Sequence, residues 1–122
     1  YGAISNTSRL HKQLWAETTA QVPVFAPLRD KTVLNIVDGM IGCYDGGPGA
    51  NAQFITEFNR ILVGSDAVAT DRIGYDIILA KRLAEGVQKK ESPRAINFLT
   101  MAQSYELGVA DPARITHIEK AL

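Results

Sequence analysis

The sequence predicts an α/β domain: a small, mostly parallel sheet of about three strands flanked by three main helices, forming part of a larger α/β domain. Three observations carry this. Two β-rich apolar runs, Thr32 to Asp38 and Arg60 to Gly64, read almost without alternation, as strands covered on both faces do. Between them lies a segment dense in glycine, and after the second run Ser65-Asp66 opens a long helical pattern. A second helical pattern follows Ser92-Pro93, so strands and helices alternate along the chain.

Taken in order, Asn6, Thr7 and Ser8 are good N-cap residues, and Leu10, Leu14 and Trp15 recur at helical spacing, which predicts a helix from Thr7 to Ala20. Pro23 and Pro27 break the pattern, so Val22 to Leu28 reads as an irregular connection and Arg29-Asp30-Lys31 as a polar turn before the first strand. From Gly39 to Asn51 there are five glycines and one proline, which predicts a loop, followed by a short helix from Ala52 to Asn59. The strongest helix runs from Asp66 to Glu85, with Val68, Ile73, Ile77, Ile78 and Leu83 as its apolar stripe and Gly86 placed to end it.

Lys89 to Glu91 reads as a charged link, after which Ser92 caps and Pro93 opens a helix whose buried side is Ile96, Leu99, Ala102 and Leu107, ended by Gly108. Asp111-Pro112 makes a turn, and Arg114 to Lys120 reads as a short third strand at a sheet edge.

At 122 residues the chain is a single domain or the C-terminal portion of one. Its 13 basic and 13 acidic residues cancel, and no basic stretch exceeds Lys89-Lys90, which argues against nucleic-acid binding. No apolar run approaches the ~20 residues of a membrane helix, so a soluble, non-membrane protein is expected, its compartment left open because an export signal could have preceded residue 1. Cys43 is the only cysteine. No disulfide or four-cysteine iron–sulfur site can be built from this chain alone, and Cys43 itself reads as a small apolar residue.

An ordered series of motifs gives the chain a family resemblance: Tyr1-Gly2-Ala3-Ile4-Ser5-Asn6, Ile36-Val37-Asp38-Gly39, Tyr44-Asp45-Gly46-Gly47-Pro48 and Ser65-Asp66-Ala67-Val68-Ala69-Thr70-Asp71. In these it resembles the DUF362 family, across nearly its whole length. Ala67 stands where the family often has proline, and alanine still permits the helix start. The resemblance implies a C-terminal portion of a longer protein. It also implies that any ferredoxin-type iron–sulfur cluster, which some members carry, lies elsewhere in such a protein. It implies no reaction, because the family has no general assigned activity.

The candidate chemistry clusters at the predicted strand ends, where ligands gather in open α/β sheets. Asp38 and Asp66 close the two strands and would converge if the strands were neighbours. Such a pair could hold a divalent cation or divide acid and base roles. The plainer reading of Asp66 is an N-cap, and of Asp71 a local pair or cap. Gly46 and Gly47 could offer N–H groups to an anion, although P-loop and dinucleotide spacings are absent, and Tyr44, Asp45 and Asn51 add polar side chains. His11 is a modest candidate; His117 reads as strand surface, and Lys81 and Arg82 as solvent-facing.

These features predict a small-molecule or anion-binding domain of a larger, redox-linked enzyme, with Asp38, Tyr44, Asp45, Gly46, Gly47, Asn51 and Asp66 lining the cleft. One alternative is a metal-dependent enzyme using Asp38 and Asp66, with Asp45 or His11 as base. Another is a non-catalytic assembly module that forms a homo-oligomer, or joins further chain, through an exposed sheet edge.

Overall fold

The computed structural model describes residues 15–47, 49–87 and 97–121. Its elements are α1 (Trp15–Gln21), α2 (Ala26–Arg29), β1 (Asn35–Cys43), β2 (Ile55–Gly64), α3 (Ala67–Ala84) and α4 (Asn97–Ser104), with 3-10 turns at Val22–Val24, Ala52–Phe54 and Pro112–Arg114. The predicted first helix is seen over its last turns as α1; its beginning, with Asn6, Ser8 and His11, lies outside the described residues, as do Lys89 to Glu91, Ser92, Pro93 and Ile96.

Among the described residues the sheet has two strands, β1 and β2, and they are antiparallel, with Asn35 opposite Gly64 and Cys43 opposite Ile55. This mixed helix-and-hairpin arrangement corrects the predicted mostly parallel, three-stranded sheet. A parallel pair needs a crossover, usually a helix. Here the chain from Tyr44 to Phe54 only turns back on itself: the Tyr44 N–H donates to the Phe54 carbonyl at 3.0 Å, and the helix expected from Ala52 to Asn59 is one 3-10 turn followed by β2.

β1 is longer than predicted because two glycines assigned to the loop belong to the strand. A Cβ on Gly39 would lie 3.0 Å from the Arg60 carbonyl oxygen, and one on Gly42 would lie 3.0 Å from the Phe58 ring. These glycines permit close approach across the ladder; they do not end it. Between the Gly39–Arg60 and Ile41–Glu57 pairs, β2 carries one extra residue, a bulge that Asn59 accommodates at φ 52°.

α3 follows its prediction closely. Asp66 caps it, Gly86 takes φ 68° at its end, and the Gly86 and Val87 N–H groups donate back to Leu83 and Arg82 carbonyls at 3.1 and 2.9 Å. A Cβ on Gly74 would sit 3.6 Å from Leu62, so the helix lies against β2 there. α4 ends differently from its prediction. Glu106 adopts the left-handed conformation, φ 59°, while the Glu106 and Leu107 N–H groups donate to Gln103 and Ala102 carbonyls. Gly108 lies past this terminator.

The predicted third strand is replaced by the Pro112–Arg114 turn, which the Asp111 carboxylate caps by accepting the Ala113 N–H at 3.0 Å, and by an extended run without ladder bonds. That run still passes near β2, since Glu119 pairs with Arg60. Sequence had registered its extended character but not that it stops short of pairing.

The buried core belongs to the helices. Ala20, Val68, Leu99, Ala102 and Ala110 form it, with Phe98, Met101 and Leu107 packed around and the Trp15 ring 6.0 Å from that of Phe98. On the hairpin, Ile36, Ile61 and Val63 remain 66%, 60% and 62% exposed. Among the described residues no helix is long and apolar enough to cross a membrane.

Candidate functional site

The turn from β2 into α3 sets the position of the first candidate, Asp66. Its backbone is extended while Ala67 begins the helix, so one carboxylate oxygen accepts the Ala69 N–H at 2.9 Å as an N-cap should. The other oxygen accepts the Val109 N–H at 2.9 Å, which fastens the segment after α4 to the start of α3. Two glycines leave room for this junction. A Cβ on Gly108 would overlap the Asp66 carboxylate, and one on Gly64 would overlap the Thr70 hydroxyl, which donates to the Asp66 carbonyl at 2.7 Å. Both oxygens of Asp66 are thus engaged in holding the chain.

Asp38 does not meet it. The strands are neighbours but antiparallel, and Asp38 stands opposite Ile61, three positions before the end of β2, or about 10 Å along the strand. Its exposed carboxylate accepts the Met40 N–H at 3.0 Å. The convergence of carboxylates that parallel strands would have produced is therefore absent. Among the described residues no group of three His, Cys, Asp or Glu side chains is placed to hold a metal ion.

The glycine-rich loop lies at the opposite end of the hairpin, against the last turns of α3. The Asp45 side chain, 8% exposed, approaches Arg82 at 3.6 Å, and the Lys81 ammonium sits 5.7 Å from the centre of the Tyr44 ring while also pairing with Glu85 at 2.6 Å. Lys81 and Arg82, expected to face solvent, hold the loop instead. Within it the Asn51 carbonyl side chain accepts the Gln53 N–H at 3.2 Å, and the Tyr44 and Phe54 rings meet edge to face at 5.6 Å. The Cys43 thiol donates to the Asp45 carbonyl at 2.8 Å. Gly46 needs its φ of 74°, and a Cβ there would lie 2.8 Å from both Asn51 and Phe54; Gly47 is exposed, with open space where a side chain would project. Tyr44, Asp45, Gly46, Gly47 and Asn51 thus form one cluster, with Asp38 and Asp66 apart from it.

Two concavities lie elsewhere. A groove of about 400 Å³ runs beside the last residues of β2, between the start of α3 and the run from Arg114 to Ile118, and His117 is on its wall. A second, half-open cavity of about 280 Å³ is bounded by α1, α2, the start of β1, α3 and α4. Its floor is the apolar core at Ala20, Val68, Leu99 and Ala102, and its polar lining includes Thr32, Asn35, Ser65 and Asp71.

Asp71 is the carboxylate of this motif that the fold leaves unused. No hydrogen bond or ion pair to its carboxylate is found among the described residues, in place of the local pairing expected for it. Asp71 is exposed at the cavity mouth, and the desolvation it retains there pushes its carboxyl pKa above the ordinary value. Five residues past Asp66, it projects from a different side of α3. That displacement was the available signal: Asp66 turns toward Val109, and Asp71 toward the cavity.

Comparison with known families agrees with the motif series but over a shorter span. The model of the DUF362 family, a domain of unknown function, matches residues 1–76, ending inside α3 and short of α4. No curated protein and no solved structure matches the chain significantly. The match takes in Asp38, the hairpin loop, Asp66 and Asp71, covers more than half of the 122 residues, and shows that the chain belongs to the DUF362 family.

Proposed function

We propose that this DUF362 domain binds a small organic molecule in the cavity between the helices and the start of β1, with Asp71 as its polar anchor. The single observation that carries the reading is a cavity of about 280 Å³ whose lining joins apolar side chains to an exposed carboxylate, Asp71, that has no partner among the described residues. A carboxylate at the rim of such a cavity is open to pairing with a donor or cation on a ligand. Concave, mostly apolar sites with a few placed polar groups are the usual form of small-molecule sites. The volume is roughly twice that of the 150 Å³ cavity that accepts benzene, so the ligand is small.

A fragment screen read by protein-detected NMR tests this. Shifts should cluster at Ala20, Asn35, Val68 and Leu99 and vanish in Ser65→Phe, which places a ring at the exposed rim without disturbing the core. Fragments that shift only other regions would sink the proposal.

The hairpin loop supports a second reading, an anion site, because two cations, Lys81 and Arg82, flank Tyr44 and Asp45. Titration with inorganic phosphate, following the amides of Gly46 and Gly47, decides it: saturable shifts support the site, and a linear response counts against it. In either reading a redox role would draw on a longer protein, since Cys43 cannot by itself build a cluster.

A further inference from the structure

We infer that the ligand of this cavity is a small amine with an apolar body, its ammonium group paired with Asp71 and its hydrocarbon part laid on Leu28, Phe98 and Leu107; this rests on the cavity reading above.

The apolar lining that stays accessible is Leu28, Phe98 and Leu107, each half-buried over the core of Leu99, Val68 and Ala102, a surface that favours hydrocarbon over any charged group. Around it, the polar lining is sparse and uneven. Thr32 already donates its hydroxyl to the Leu28 carbonyl at 2.8 Å, and Asn35 donates its amide to the Gly64 carbonyl at 3.2 Å, so these two bonds belong to the scaffold. Asp71 is therefore the strong acceptor available to a ligand.

Charge then selects the ligand class. The other charged side chain in the lining is Arg29, which is bound to Asp30 at 2.8 Å and about half exposed, so it offers the cavity little net positive field. An anionic ligand would meet Asp71 as a like charge, with Arg29 already engaged by Asp30. A neutral alcohol could donate one hydrogen bond, but an ammonium gives a charge-assisted one, roughly twice as strong. A divalent cation would find one carboxylate and neutral oxygens, too little charge to replace its water. A cation with a hydrocarbon body satisfies both the apolar lining and the anchor.

Three isosteric probes test the inference on the full chain: 2-phenylethylamine, 2-phenylethanol and phenylacetate, titrated by NMR and calorimetry. The amine should bind about tenfold more tightly than the alcohol. Asp71→Asn should bring the amine down to the level of the alcohol and leave the alcohol unchanged. Phenylacetate should be the weakest of the three. Equal binding of amine and alcohol, with Asp71→Asn indifferent but shifts still at Leu99 and Val68, would overturn the amine assignment and leave the cavity reading intact. Preference for phenylacetate would do the same. No shift at any cavity residue with any probe would overturn both.

Discussion

The helices and the hairpin of this protein use apolar residues in opposite ways. Around α1, α3 and α4, small side chains such as Ala20, Ala102 and Ala110 close tightly on Leu99, and every buried hydrophobic among the described residues lies there or in the adjoining segment. On the hairpin, larger side chains, Ile36, Ile61 and Val63, stand mostly in solvent, and order comes from the backbone ladder, two close-packed glycines and the contacts of Asp45 and Tyr44 with the end of α3. Hydrophobic content alone would have ranked the hairpin as the core. Burial depends on having a layer to pack against, and α3 supplies that layer to one face only, the face of Leu62.

The comparison breaks most visibly at Leu99. Leu99→Ala removes a fully buried side chain and should cost about 2–5 kcal/mol in urea unfolding. A loss below about 1 kcal/mol would mean that the helical side is not the stabilising half. Next comes the seam between the halves. Asp66→Ala deletes the cap of α3 and strands the Val109 N–H, and about 1–3 kcal/mol should be lost by the same measurement.

On the hairpin, Gly42→Val would press on the Phe58 ring and should cost about 1 kcal/mol, mostly as the ring shifts. Asp71→Asn should change stability less and in the opposite direction at neutral pH. The native carboxyl titrates above its ordinary value of 3.8, so between that value and its raised one the native state holds more protons than the unfolded state. Stability from this group therefore falls as pH rises through that window. The asparagine variant should gain on wild type toward neutral pH and lose that advantage in acid, as read from urea midpoints across a pH series.

The smallest effect expected is at the exposed face: Ile61→Thr and Val63→Thr should each stay within about 0.5 kcal/mol. A loss well beyond that would show the face covered in solution, and sedimentation of the two variants against wild type would tell whether a second copy covers it.

What could be read from the sequence follows the same division. α3, its Asp66 cap and its Gly86 end were legible because they depend on local chemistry, a side-chain oxygen beside an N–H and a glycine free to take a positive φ. Strand direction was not legible. It depends on whether the chain between the strands crosses over or folds back, and a glycine-rich segment is compatible with either. Gly39 and Gly42 misled for a related reason: a missing side chain serves a turn and a close cross-strand contact alike, and only the partner, Arg60 or Phe58, distinguishes them. At the site, the motif holding Ser65, Asp66 and Asp71 could be found, but which carboxylate is consumed by the fold depends on Val109, 43 residues away from Asp66.

That distance also gives the junction a place in time. The bond from Ala69 to Asp66 spans three residues and can form as soon as the first turn of α3 does, whereas the bond from Val109 closes a long loop and must wait for the later part of the chain. One carboxylate thus records two folding events through its two oxygens. In hydrogen exchange the Val109 amide becomes a clock for the closure: exchange at the rate of global unfolding would mean that the segment after α4 departs only when everything does, and faster exchange would date its release before the loss of α3.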